Sequence, residues 1–277
     1  MATLNALLRP VFDLMLSPVS QVSPLVGLTI ISLLTAVVML IVFKWTSNQG
    51  ALAAVKRQIH AGLFEIRLFN DDLILILKSQ FEVLRHNLTY LRLSMAPMLW
   101  MIVPLTLMVA QLQFHYGYSG LQPGAASILK VDLSAGDGAP MGRPDATLGV
   151  PEGLRVETPA LWIPAKRQLV WRIAADTPGA YEVTVVVDGK SEAKSVRVGD
   201  GIVRRSPIRV SPSFLDLLLY PAESPLPADS PFQSISVAYP DRDIDMFGVW
   251  GGHWLIVFMV LSIAFAFALR NVFGVTI

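Results

Sequence analysis

Lys44-Trp45-Thr46-Ser47-Asn48-Gln49 opens the stretch that decides the fold, which runs on to Gln113. Behind it, residues 50 to 94 mix charged and apolar positions with helical spacing. Met95 to Leu112 is then an apolar run without a charge. Leu25 to Phe43 (LVGLTIISLLTAVVMLIVF) leads into the stretch, again without a charge. At 1.5 Å per residue such runs cross about 30 Å of hydrocarbon as helices. Two apolar spans therefore bracket a helical loop that is too periodic to be an independent globular domain.

Composition agrees. Apolar residues make up 53% of the 277 and charged residues 16%, and mean hydropathy is positive, which sets the chain among membrane proteins. The net charge of +1 gives no reason to expect a nucleic-acid partner. The absence of cysteine excludes disulfides, thiol catalysis and thiolate metal sites. His60, His86, His115 and His253 are scattered, so no metal or cofactor is expected.

Within the first span (residues 25–45), Thr29, Ser32 and Thr35 recur every third residue. These hydroxyls either bond back to their own helix and hold neighbouring helices, or line a polar groove. Lys44 and Trp45 mark a membrane interface, the amine snorkelling and the indole among head groups. The second span (95–114) holds Pro97 and Pro104, each of which frees a backbone carbonyl that lipid cannot satisfy. A kink facing protein or a wet cavity follows. Met95, Met98 and Met101 stand three apart, suited to varied apolar partners or to plain packing. Gln111 and Gln113 lie at the far end and need partners if buried.

The loop (46–94) divides at Asn70-Asp71-Asp72. Leu52, Val55, Ile59, Leu63 and Ile66 form one stripe, and Leu73, Leu77, Phe81, Leu84, Leu88 and Leu91 the other. Two stripes joined by a capping Asn70 or Asp71 read as an antiparallel coiled-coil hairpin. Leu68, Phe69 and Ile74, with Ile76, crowd its tip beyond what two helices bury, which marks a docking surface.

Upstream, Leu4, Leu7, Leu8, Val11, Phe12, Met15 and Leu16 share one helical face, so residues 1–24 read as an amphipathic interfacial helix, or otherwise as a loosely held tail. The basic n-region and small-residue cleavage site of a signal peptide are missing. From His115 the character changes to short alternating runs separated by turns. Ile128–Leu133, Leu169–Ala174, Tyr181–Val187, Ala193–Val198 and Ile208–Val210 are strands, and Asp188-Gly189 makes a tight hairpin. Residues 115–220 thus read as an immunoglobulin-like sandwich, without a nucleophile motif around Ser134, Ser191 or Ser195. Residues 221–248 read as an extended, proline-rich return, 249–270 as a third span broken by Gly251-Gly252, and 271–277 as a tail.

Seven Lys/Arg lie between Lys44 and Arg92, so the positive-inside rule puts hairpin and C-terminus in the cytoplasm, N-terminus and strand domain outside. The expected fold class is an α-helical membrane protein with three transmembrane helices and a cytosolic coiled-coil hairpin, plus an extracytoplasmic all-β domain. The expected location is the inner (plasma) membrane.

The order of these parts, with Asn5-Ala6-Leu7-Leu8-Arg9-Pro10, Phe43-Lys44-Trp45-Thr46-Ser47-Asn48-Gln49, Arg67-Leu68-Phe69-Asn70-Asp71-Asp72 and Pro97-Met98-Leu99-Trp100-Met101, resembles the YidC/Oxa/Alb insertase superfamily. The likeness is to its minimal three-span branch, which includes the insertase subunit of the ER membrane complex, and covers residues 1 to about 120. It implies a non-enzymatic insertase with a hydrophilic groove that eases short polar segments of clients across the bilayer. On this chain the groove would be lined by Thr29, Ser32, Thr35, Lys44, Met98, Met101, Thr106 and Gln111. Partners would be new membrane-protein clients, the lipid bilayer, and the ribosome or translocon. Two departures stand out. The arginine that better-known bacterial members carry within the first core helix is missing from Leu25–Phe43, and the large strand domain is unlike the minimal members. The competing reading is a membrane scaffold that links coiled-coil partners inside to envelope partners outside.

Overall fold

The computed structural model describes residues 2–19, 23–69, 71–134, 142–246 and 250–275. Its helices are α1 (Ala2–Leu16), α2 (Pro24–Thr46), α3 (Gln49–Leu68), α4 (Leu73–Tyr116), α5 (Phe214–Leu219) and α6 (Trp254–Leu269). The strands are β1 (Ala126–Leu133), β2 (Ala146–Gly149), β3 (Leu154–Val156), β4 (Leu161–Ile163), β5 (Gln168–Ala175), β6 (Gly179–Val187), β7 (Lys190–Val198), β8 (Ile208–Val210), β9 (Phe232–Val237), β10 (Asp243–Met246) and β11 (Trp250–His253). The chain divides into two units. One comprises residues 1–28 and 107–257, the other residues 29–106 and 258–277.

The first unit is built on antiparallel sheets. Strands run β3-β5-β1-β9-β8 in the larger sheet, with β4 also on β5, and β2-β6-β7 in the smaller. Alternation places one set of side chains from each sheet in a common core: Leu129, Val131, Trp171, Ile173 and Ile235 from one, Val183, Val185 and Val196 from the other. The β6–β7 hairpin turns at Asp188-Gly189, both with positive φ (48° and 80°), as a tight two-residue turn requires. All five strands expected from alternation are present.

Residues 221–248 are not merely an extended return. Phe232–Val237 forms β9 between β1 and β8, with Val131 opposite Ile235. Flanking prolines at Pro231 and Pro240 disguise six residues of which Phe232, Ile235 and Val237 fill the core. The third apolar run also differs from its expected bounds. Gly251 and Gly252 pair with Asp245 and Ile244 across β10–β11, so helix starts only at Trp254. The resulting α6 has 16 residues.

Helix α1 is fastened to this unit by its polar face. Asn5 donates to Leu217 O (2.5 Å), and Arg9 to Pro221 O (2.6 Å) and Glu223 O (2.7 Å). Asp13 pairs with Arg204 at 3.0 Å and lies 3.2 Å from His115. The expected single apolar face is split: Phe12 and Leu16 are buried, while Leu7 and Val11, with Leu14, stay exposed.

In the second unit, α3 and the first half of α4 form the hairpin. Asn48 caps α3 by accepting from Ala51 N. Asp72, rather than Asp71, caps α4, its Oδ1 accepting from Ile74 N (3.0 Å) and Leu75 N (3.1 Å); Asn70 lies outside the described residues. No loop separates hairpin from span: α4 continues for 44 residues through both Pro97 and Pro104. Pro24–Thr46 and Leu73–Tyr116 are each long and apolar enough to cross a membrane.

One expectation about the hairpin is reversed. The stripe Leu73, Leu77, Phe81, Leu84, Leu88 and Leu91 was to face α3, yet every one of these residues is more than half exposed. The arms meet through small and polar groups instead. Ser79 is buried and donates to Glu65 Oε2 at 2.8 Å, and a Cβ on Gly62 would stand 2.5 Å from Val83 Cγ2. Periodicity marks an apolar face but does not say which neighbour covers it. In α3 only Leu52 and Val55 of the expected stripe are buried, and Leu63 is exposed.

Candidate functional site

The hydroxyl-bearing face of α2 is the first candidate. A helix this apolar needs a partner for each hydroxyl it buries. Ser32 and Thr35 are completely shielded. Thr35 Oγ1 donates to Ile31 O one turn back (2.8 Å), and Ser32 Oγ reaches Phe258 O of α6 (3.4 Å). Ser32 therefore faces α6. Thr29 is half-buried on the same face, and Thr106 is exposed on α4. Met98 is exposed and Met101 half-buried. Lys44 and Trp45 are both exposed at the end of α2.

Gln111 belongs to the other unit. It is buried, and its Oε1 has no partner among the described residues, while its backbone oxygen lies 3.0 Å from His115 Nδ1. An unsatisfied amide oxygen at the end of a long apolar helix is a site for a water or a polar guest.

The hairpin is the second candidate. Leu68, Phe69 and Ile74 at the tip are 73%, 44% and 81% exposed, as a docking surface requires. Between the arms lies a groove of about 580 Å³ lined by Gln58, Gly62, Phe64, Glu65, Val83 and His86 among others. Phe64 is exposed at its rim. Small residues at the arm contact leave this groove open, a feature that stripe-reading alone misses.

A third feature, unmarked by any motif in the residue order, is a buried ionic cluster in the β unit. Lys194 of β7 is fully buried, donating to Ser206 O (2.6 Å), Ser195 O (3.2 Å) and Glu223 Oε2 (2.7 Å). Arg205, equally buried, grips Tyr118 O, Val203 O, Gly199 O and Gly201 O, and burial pulls its guanidinium down to about 10. Beside them is a cavity of about 240 Å³ lined by Asp13, His115, Arg197 and Arg204. Lys194, Arg204 and Arg205 are each engaged with backbone oxygens or a carboxylate, so the cluster locks loops together. Among the described residues no group of His, Asp or Glu could hold a metal ion.

Compared with known families and characterised proteins, the sequence matches no family model and no curated protein.

Proposed function

We propose that this chain is a membrane-protein insertase or biogenesis factor, built on the plan of the YidC/Oxa/Alb superfamily. The observation that carries the reading is the continuity of α4. One helix is both the second arm of an amphipathic hairpin and an apolar span interrupted by two prolines. A client held at the hairpin would thereby be delivered along the same helix to the membrane interior. Alpha-helices α2, α4 and α6 are the three spans in this reading, and the β unit is an immunoglobulin-like sandwich outside an inner (plasma) membrane. The hairpin and C-terminus are cytoplasmic. At 1.5 Å per residue the 16 residues of α6 reach about 24 Å, short of the usual 30 Å. A short span thins the bilayer around it, and thinning lowers the several-kilocalorie cost of moving a charged segment through hydrocarbon. No covalent chemistry is needed. Clients, lipid, and the ribosome or translocon are the partners.

A second reading, a scaffold joining cytosolic and envelope partners, draws support from Ser32 and Thr35, whose hydroxyls are spent on backbone carbonyls as in a dry bundle. Reconstituted insertion separates the two. Thr29→Ala, Ser32→Ala and Thr35→Val together should slow insertion of a client with a short charged tail and leave a wholly apolar client little changed. Equal insertion of both by parent and variant favours the scaffold.

A further inference from the structure

The outward face of α4 has a stricter pattern than an amphipathic helix needs. Ile74, Leu77, Phe81, Leu84, Leu88, Leu91, Met95, Met98 and Ile102 follow one another at alternating steps of three and four. These are the a and d positions of a heptad repeat, and the pattern runs unbroken from the aqueous arm into the apolar stretch. All nine are more than half exposed. The b, c and f positions, among them Glu82, Val83, Ser79 and His86, look the other way, towards α3 and the groove.

The flanks of the seam select its occupant. The e positions of the aqueous arm are Lys78, Arg85 and Arg92, all basic, and the g positions Gln80, Asn87 and Ser94, all uncharged. In a parallel pair, g of one helix faces e of the other, so each cation meets an amide or hydroxyl. In an antiparallel pair, e faces e and three cations would confront three cations. Copies of one chain inserted the same way into a bilayer can only lie parallel. A helix that merely rests on lipid has a broad apolar face, whereas along the aqueous arm, residues 74 to 91, this seam is two residues in seven. Leucine at the d positions Leu77, Leu84 and Leu91, with β-branched Ile74 and Ile102 at two of the five a positions, is the combination that two strands favour.

From this we infer that the seam is the interface of a parallel two-stranded coiled coil between two copies of the chain. The helix pair begins at the hairpin tip and enters the membrane without a break. Dimerisation leaves the groove between α3 and α4 free on the opposite side, so each dimer presents two such grooves. Insertion activity is not a premise of this interface.

The chain has no cysteine, so single cysteines report on the seam directly in membranes that contain the full-length protein. After oxidation, Leu84→Cys and Leu88→Cys should give a covalent dimer, twice the 30.3 kDa chain. Glu82→Cys and Thr89→Cys, at b positions, should stay monomeric. Absence of a dimer from both seam positions overturns the inference, as do equal dimers from all four or cross-links only to a different protein. A mass measurement on the detergent-solubilised chain gives a second reading. Leu88→Glu and Leu88→Lys should each be monomeric with helix content unchanged, and mixing them should restore the dimer. Dimers of either variant alone, or a monomeric parent, would count against the seam.

Discussion

Lys194 and Glu223 meet at 2.7 Å, and the lysine is entirely shielded from water. Burial drives the Lys194 ammonium below the usual lysine range, with the carboxylate beside it pulling the other way. Burial alone would raise the Glu223 carboxyl, but the Lys194 charge and hydrogen bond, with hydrogen bonds from the Ser206 side chain and the Ser195 backbone N–H, bring it below the ordinary range. The pair also anchors α1, because Arg9 donates to the backbone oxygen of the same Glu223. Glu223 thus serves two contacts, its carboxylate on Lys194 and its backbone oxygen on the short N-terminal helix.

Removing one half of that pair should cost more than removing both charges. Glu223→Ala leaves a buried ammonium with only carbonyls around it, at a cost of about 3–5 kcal/mol. Lys194→Met with Glu223→Gln should be milder, since no charge is stranded. Heat unfolding of the whole protein in detergent, followed by tryptophan fluorescence, checks the order. If the single variant is as stable as the double, the pair is not what holds this corner.

The docking of α1 should loosen in acid. For Asp13, burial acts to raise the carboxyl, but the hydrogen bond from His115 and the charge of Arg204 outweigh it, and the folded value falls below 3.8. Glu223 likewise falls below its ordinary 4.5. In both cases the unfolded chain binds more protons than the native one as pH drops below about 4.5. The stabilisation is thus complete above that pH and lost as pH falls through the lowered folded values. Limited proteolysis of α1 between about pH 6 and 3 should show release at the acid end. Asp13→Asn should already be looser at neutral pH and change less on acidification.

Topology is open to direct labelling. Glu82 and Ser191 are both exposed, one on the hairpin and one on β7. A membrane-impermeant thiol reagent applied to intact cells should modify Ser191→Cys and spare Glu82→Cys. Modification of both, or of the hairpin alone, reverses the orientation and removes the basis for a cytosolic hairpin.

At the hairpin tip, Leu68→Ser with Phe69→Ser should change stability by no more than about 0.5 kcal/mol, since exposed side chains contribute little to folding. Client cross-linking to the hairpin should fall all the same. Unfolding of the hairpin in place of weaker capture would make these residues structural.

Much of this architecture is legible in the residues. Alternation from Tyr181 to Val187 and again to Val198, joined by Asp188-Gly189, admits little but a hairpin. The apolar length of Leu25–Phe43 dictates a long helix, as found in α2. Other parts are hidden for physical reasons. Strands β2, β3 and β4 have three or four residues each, too few for a period to show. Phe232–Val237 lies among prolines, and its place in the core depends on β1, about a hundred positions earlier. Of the hydroxyls on α2, spacing shows that they share a face, while only the packed helices show Ser32 turned towards α6. The face of α4 that meets α3 is polar and small, while the larger apolar stripe lies on the opposite side of the helix.

That small contact yields the sharpest test of the hairpin. Gly62 sits mid-helix, where alanine is intrinsically better by about 1 kcal/mol. A Cβ there would stand 2.5 Å from Val83 Cγ2, and valine, branched at Cβ, has essentially one helical rotamer and cannot swing aside. Overpacking of this kind costs about 1–3 kcal/mol, enough to cancel or exceed the helical gain. Gly62→Ala should therefore splay the arms and speed amide exchange in α3 around Gly62. Val83→Ala alone should do little more than enlarge the groove. Combined with Gly62→Ala it should restore slow exchange, because the new methyl then fills the space that the valine leaves. Undisturbed exchange in Gly62→Ala would mean that the arms do not touch there, and that the polar side of α4 is not the one turned to α3.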